Sequence, residues 1–346
     1  MRPSLRLVVG ALVVTGLAAA ILIPRPEAAC AQAGRPSVAR TATGGPRLRL
    51  VTRVRTGIQP KSVDLSPDGQ RVYVCNFGRP DRDNVKVYDA ETLDLLGTIE
   101  FEGNAVETAF SPDGSTVYVS NFRRDVIEVV DAATFEVRAE VAVDADPKVM
   151  TLSPDGSRLY VANWSSDTIT EIDTARLEVV GTRRTGRHPR GMAMLSSGRF
   201  FAAAMYSHVV HVFDPDRADE TGQFGPCRYP RHLLLSPEED RLYTSCSCCR
   251  QVRWFDPATQ QLQGIAATGQ NPRTIALTAD GRWLTAAGFD DSSVTLIDTA
   301  NLTHRVVPVP GADQIVGVAI RGGDVPRIYA TSWLTGELVV LETRSP

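Results

Sequence analysis

Ser66-Pro67-Asp68-Gly69-Gln70-Arg71-Val72-Tyr73-Val74-Cys75-Asn76 is the stretch whose reading decides the fold. Proline at the second turn position presets φ, and glycine accepts a positive φ, so the first four residues make a hairpin turn. The remainder alternates in the manner of a half-buried strand. The same turn returns as Ser111-Pro112-Asp113-Gly114 and Ser153-Pro154-Asp155-Gly156. Degenerate forms follow at Ser196-Ser197-Gly198, Ser236-Pro237-Glu238-Glu239, Thr278-Ala279-Asp280-Gly281 and Arg321-Gly322-Gly323-Asp324.

A second marker keeps the same beat. An acid closes an alternating strand at Asp89, Asp131, Asp173, Asp214, Asp256, Asp298 and Glu342, with spacings of 42, 42, 41, 42, 42 and 44 residues. Between the markers each unit reads as four short strands. Strand a is apolar (Met150-Thr151-Leu152) and strand b runs into Tyr-Val-x-Asn. Strand c alternates (Ile127-Glu128-Val129-Val130), and strand d resembles Glu178-Val179-Val180-Gly181. Four strands at a fixed period near 42 residues predict the blade of a β-propeller, and seven marks predict seven blades of four antiparallel strands. The chain stops after strand c of the seventh unit, while an orphan strand, Leu48 to Val54, precedes the first. That strand is expected to complete blade seven, closing the all-β ring and removing an open edge.

Tyr73-Val74-Cys75-Asn76, Tyr118-Val119-Ser120-Asn121 and Tyr160-Val161-Ala162-Asn163 resemble the YVTN repeat of bacterial YncE-like and archaeal surface-layer propellers. The resemblance spans about 300 residues. Blades four to seven depart from it in strand b, at Ala203-Ala204-Met205, Thr244-Ser245-Cys246, Ala286-Ala287-Gly288 and Ala330-Thr331-Ser332. For function it implies little, because such propellers include binding, cell-surface and cofactor-associated proteins.

Ahead of the repeat, Arg2 and Arg6 precede an apolar run from Leu7 to Ile23, followed by Ala29-Cys30-Ala31 and Ala31-Gln32-Ala33. Residues 1–33 therefore read as a secretory signal, 34–46 as a linker and 47–346 as the propeller. An uncleaved anchor is the alternative; lipidation at Cys30 is disfavoured by Glu27 three positions before it. Periplasmic, cell-surface or secreted location follows as an expectation, and so does a monomer. The formal net charge is −3. It gives no bulk attraction to nucleic acid or anionic membrane.

Three residue sets map to one face, where the loops entering strand a and joining b to c surround the central channel. Aligning the units places Lys61, Val106, Lys148, Arg190, Arg231, Arg273 and Val316 at one position. Five of these are cations, and like charges around one mouth repel unless an anion or carboxylates such as Glu107, Asp146 and Asp313 compensate. The residue after the strand b asparagine position is Phe77, Phe122, Trp164, Tyr206, Ser247, Phe289 or Trp333. This aromatic collar either wedges between blades or offers stacking surface to a flat ligand; coincidence with the basic ring is what would favour the second.

The third set breaks the repeat. Cys227, Cys246, Cys248 and Cys249 crowd into blade five, with His188, His208 and His232 on the same face of blades four and five. Export favours disulfides, most simply Cys227 to a cysteine of the b–c loop. A thiolate–imidazole site for a metal or a haem-like cofactor is the alternative, although C-x-C-C matches no common zinc spacing. No cofactor is named by any motif. G-x-S-x-G, H-E-x-x-H and P-loop patterns are missing, and no catalytic residue is assigned. The sequence thus predicts a non-catalytic propeller binding a ligand or protein partner over its channel face. A redox- or metal-associated propeller and a lactonase- or lyase-type enzyme are the alternatives.

Overall fold

The computed structural model describes residues 39–217 and 219–344. The expected signal segment and the first part of the expected linker lie outside the described residues. Among the described residues no helix is long and apolar enough to cross a membrane.

Seven four-stranded antiparallel sheets stand around one axis. Their innermost strands are Pro60–Leu65, Ala105–Phe110, Pro147–Leu152, Pro189–Met194, Pro230–Leu235, Pro272–Leu277 and Ile315–Arg321. In blades one to six each is followed outward by strands b, c and d of the same unit. The alternation seen in the sequence is what packs the ring. Seven apolar clusters form, each drawing residues from two neighbouring blades; Tyr73, Cys75 and Val87 of blade one meet Val117 and Val119 of blade two. Seven seams for seven blades leave no sheet face uncovered. Strand d, by contrast, is largely exposed in blades one and three.

The last blade closes as the orphan strand foretold. Arg47–Arg55 pairs antiparallel with Glu337–Arg344, from Arg47 opposite Arg344 to Arg55 opposite Glu337. The repeat markers have the expected local roles. Gly69, Gly114, Gly156 and Gly281 hold φ near +70° at the a–b turns. Asp89, Asp131, Asp173, Asp256 and Asp298 each accept hydrogen bonds from two backbone N–H groups of the following c–d turn.

Two local features depart from the sequence reading. Residues 39–43, assigned to the linker, add two short parallel strands to the outer rims of blades five and six. Ala39–Arg40 pairs beside Leu262–Ala267, and Ala42–Thr43 beside Thr303–Pro308. In blade four the a–b turn is shorter while the pairing is kept, so Pro189 pairs with Ala204 as Pro60 and Pro147 pair with Asn76 and Asn163. Met205, not Tyr206, therefore occupies the collar place, and Tyr206 stands one residue further out.

Candidate functional site: a cationic channel mouth under an aromatic collar

In every blade strand a carries a β-bulge just after its first paired residue. Lys61, Lys148, Arg190, Arg231 and Arg273 sit in these bulges. A bulge bends the strand and re-aims a side chain, so five of the seven bulges deliver a cation toward a common centre. In blades two and seven the place is taken by the buried Val106 and Val316.

A second repeated contact holds the collar above this ring. The backbone N–H of Phe77, Phe122, Trp164, Met205, Ser247, Phe289 and Trp333 donates to the carbonyl of Gln59, Asn104, Asp146, His188, Tyr229, Asn271 and Gln314 respectively. The b–c loop is thus fastened to the loop that enters strand a, setting aromatic ring beside cation. Lys148 Nζ lies 3.4 Å from the Trp164 centroid and 5.3 Å from that of Phe122. Lys61 Nζ lies 5.6 Å from Phe77 and 5.2 Å from Trp333. The Arg273 guanidinium is 3.3 Å from Phe289, and that of Arg190 is 5.9 Å from Trp164. The basic ring and the collar coincide.

Ring faces ease the burial of these charges but do not neutralise them. None of the five cations has a carboxylate within 4.0 Å among the described residues. Asp146, Glu107 and Asp313 do not pair with them. Arg231 is only 7% exposed, and its Nε has no hydrogen-bond partner; Arg273 and His232 are half-buried, and the buried atoms Arg273 Nε and His232 Nδ1 likewise lack one. A buried polar group left unpaired costs its full desolvation, so three such nitrogens at one mouth are a strong departure from ordinary packing.

The electrostatics follow from that crowding. Burial, then Arg190, Lys61 and Arg231, push Lys148 down to about 5. Burial and the three arginines Arg190, Arg231 and Arg273 hold Lys61 well below the usual lysine range. Burial lowers Arg190, Arg231 and Arg273 in turn, and it pushes His232 down to about 4. Two acids share the interior. Burial raises Glu107 to about 7, helped by the neighbouring Asp64, which burial raises to about 6. Thr108 Oγ1 donates to Asp64 at 2.7 Å. At neutral pH these acids are only partly available to offset the cations.

The cysteine–histidine set is dispersed. Cys227 and Cys246 form a disulfide, so neither sulfur is a thiolate. Cys246 stands in the strand b asparagine place, opposite Pro230. In blade two the equivalent Asn121 donates its amide to the Glu102 carbonyl at 2.8 Å, three residues before the first residue of strand a, as Cys227 is. The disulfide therefore replaces the hydrogen bond by which the repeat ties strand b to the preceding loop. Cys248 and Cys249 follow in the b–c turn. His188 stacks on Trp164 at 4.5 Å and donates from Nδ1 to the Trp164 carbonyl. His208 lies edge-on to Tyr229 at 4.6 Å, and His232 faces the ring. Among the described residues no three His, Cys, Asp or Glu side chains are grouped to hold a metal ion.

Beside the mouth, between blades four and six, a cavity of about 660 Å³ opens. Arg231, Arg250, Arg273, Asp290, Met205, Tyr206 and Tyr229 are among the residues that line it. Tyr229 escaped the sequence reading because the loop before strand a has no aromatic repeat. The signal available was its position just before Pro230, where blade four has His188, and both adopt a positive φ. Asp64 and Glu107 were invisible as a pair because they belong to different blades at non-equivalent positions.

Residues 11–187, just over half of the chain, match the family model described as the Choice-of-anchor I domain. A stretch of 104 residues is 26% identical to Antigen Lp49 of Leptospira interrogans serogroup Icterohaemorrhagiae serovar copenhageni (strain Fiocruz L1-130). It covers 28% of this chain and spans 23% of that protein's length. Among solved structures, a chain of Kuenenia stuttgartiensis Hydrazine Synthase superposes with a TM-score of 0.70 at 20% identity, over 83% of this chain and 96% of that one. At that identity the likeness bears on the fold alone.

Proposed function

This chain belongs to the Choice-of-anchor I domain family, and from that premise we propose that it is an exported or surface-held propeller that binds an anion at its channel mouth without chemistry of its own. One observation carries the reading: five cations converge on the mouth with no carboxylate within 4.0 Å among the described residues, and three buried nitrogens there have no partner. Such a mouth costs stability when empty and recovers it when an anion supplies the missing charge and acceptors. Export is supported by the leader-like N-terminal sequence, by the disulfide and by the family. Membership of the YVTN, YncE-like group is supported by the Tyr-Val-x-Asn strands of blades one to three, whose Asn76 and Asn121 brace the neighbouring loops.

The test is thermal unfolding in sodium sulfate against sodium chloride at equal ionic strength. Sulfate is expected to raise Tm well above chloride in the native protein, and an Arg190→Gln, Arg231→Gln variant to lose that difference. An equal sulfate effect in the variant assigns it to general solvent exclusion and overturns the reading.

A further inference from the structure

The cavity between blades four and six tells what kind of anion the mouth takes. Arg231 and Arg273 belong at once to the basic ring and to the cavity wall. Each carries an Nε without a partner, and Arg273 is held flat against Phe289. Guanidinium forks match carboxylate and phosphate oxygens. Arg250 and the carboxylate of Asp290 also line the cavity, and one part of the remaining wall is of another character. Met205 is apolar, and Tyr206 and Tyr229 meet edge to face with centroids 5.5 Å apart. Tyr206 remains 43% exposed toward the opening.

Size decides between a bare ion and a larger one. At about 30 Å³ per water the cavity holds roughly twenty waters, and an inorganic oxyanion displaces only a few of them. The volume instead lies in the range of sites for small organic molecules, and Met205, Tyr206 and Tyr229 supply apolar and aromatic surface beside the arginines. We infer that the ligand is an organic oxyanion, a carboxylate or phosphate ester on a flat apolar body, with its head between Arg231 and Arg273 and its body on Met205, Tyr206 and Tyr229. This inference rests on the anion-binding reading above and narrows it to a ligand class.

Titration calorimetry tests it with four probes: inorganic phosphate and acetate as bare heads, phenyl phosphate and benzoate as heads with a ring. In the native protein the ring-bearing member of at least one pair is expected to bind roughly tenfold more tightly than its bare head, the factor that two ring contacts supply. Which pair shows the preference tells carboxylate from phosphate. The Tyr206→Ala, Tyr229→Ala variant should lose the preference and keep the affinity for the bare head, whereas Arg231→Gln should weaken both members. Bare heads that bind through Arg231 with no gain from the ring overturn this inference and leave anion binding intact. A preference untouched by the tyrosine changes also overturns it. Failure of all four probes to bind overturns both readings.

Discussion

The ammonium of Lys148 rests 3.4 Å from the centroid of the Trp164 indole, and no carboxylate lies within 4.0 Å of it among the described residues. An aromatic face is the nearest compensation this lysine has, and three other cations lower it further. Residues kept for binding at the expense of stability stabilise the fold when removed. Lys148→Met is therefore expected to raise Tm in anion-free buffer by about 2–5 °C, as relief of a buried, unpaired lysine that must give up its proton on folding is worth about 1 kcal/mol or more. The same variant should gain less from added phosphate than the native protein does. A lowered Tm would sink the idea that the lysine is held at a cost.

Proton uptake on binding follows from the same geometry. With Lys148 near 5 and Glu107 near 7, the empty mouth at pH 7 holds a mostly neutral lysine and a half-ionised glutamic acid. A bound anion favours the protonated form of both groups. Titration of phenyl phosphate at pH 7 in buffers of different ionisation enthalpy should show net proton uptake, reduced in Lys148→Met. Proton release would contradict the charge assignment.

Glu107 makes a pH-dependent contribution whose sign is fixed. Its carboxyl is raised from 4.5 to about 7 on folding, so the folded state binds the proton more tightly. That contribution is full below pH 4.5 and is lost as pH rises through 7. Lys148 and His232 are lowered on folding, so their contributions run the opposite way, growing as pH rises above about 5 and about 4 respectively. The readout is the difference between native protein and Glu107→Gln. The native protein should lose stability relative to the variant between pH 4.5 and 7, and parallel unfolding curves across that window would refute the shift.

The disulfide offers a prediction drawn from the repeat itself. Cys227 and Cys246 close a loop with a sequence separation of 19 residues; losing the bridge should cost about 3 kcal/mol by chain entropy. Cys227→Ser, Cys246→Ser is expected to show that loss in chemical denaturation. Cys227→Ser, Cys246→Asn should recover part of it, because asparagine is the residue that reaches this loop in blade two. No recovery would mean that Cys246 has left the asparagine role behind.

Period made the ring legible: seven turns and seven closing acids mark the blades, and the missing last strand points directly to Leu48–Val54. The basic ring was legible for the same reason, since its members share one place in the repeat. What the sequence hid is what the period does not carry. The one-residue shortening near Ser197 moves every place of strand b one residue earlier in the sequence, which puts Met205 rather than Tyr206 in the collar. The rim strands at Ala39–Arg40 and Ala42–Thr43 are too short to show alternation. Tyr229 and the Asp64–Glu107 pair stand at places where the other blades carry different residue types, so the repeat does not mark them.

The rim strands also set a load path. Ala39, the first described residue, stands at the outer edge of blade five. Tension applied there meets two pairings of two residues each before it reaches Arg47–Arg55, whose pairing with Glu337–Arg344 closes the ring. Short parallel pairings hold less per residue than a long antiparallel ladder. In single-molecule pulling between the N-terminal end and the C-terminus, small early extensions should therefore precede one large rupture, and rupture in a single step from the start would contradict this order. Blades five and six can thus give up their outermost strands under strain while the seal of the ring, and with it the geometry of the mouth, stays whole.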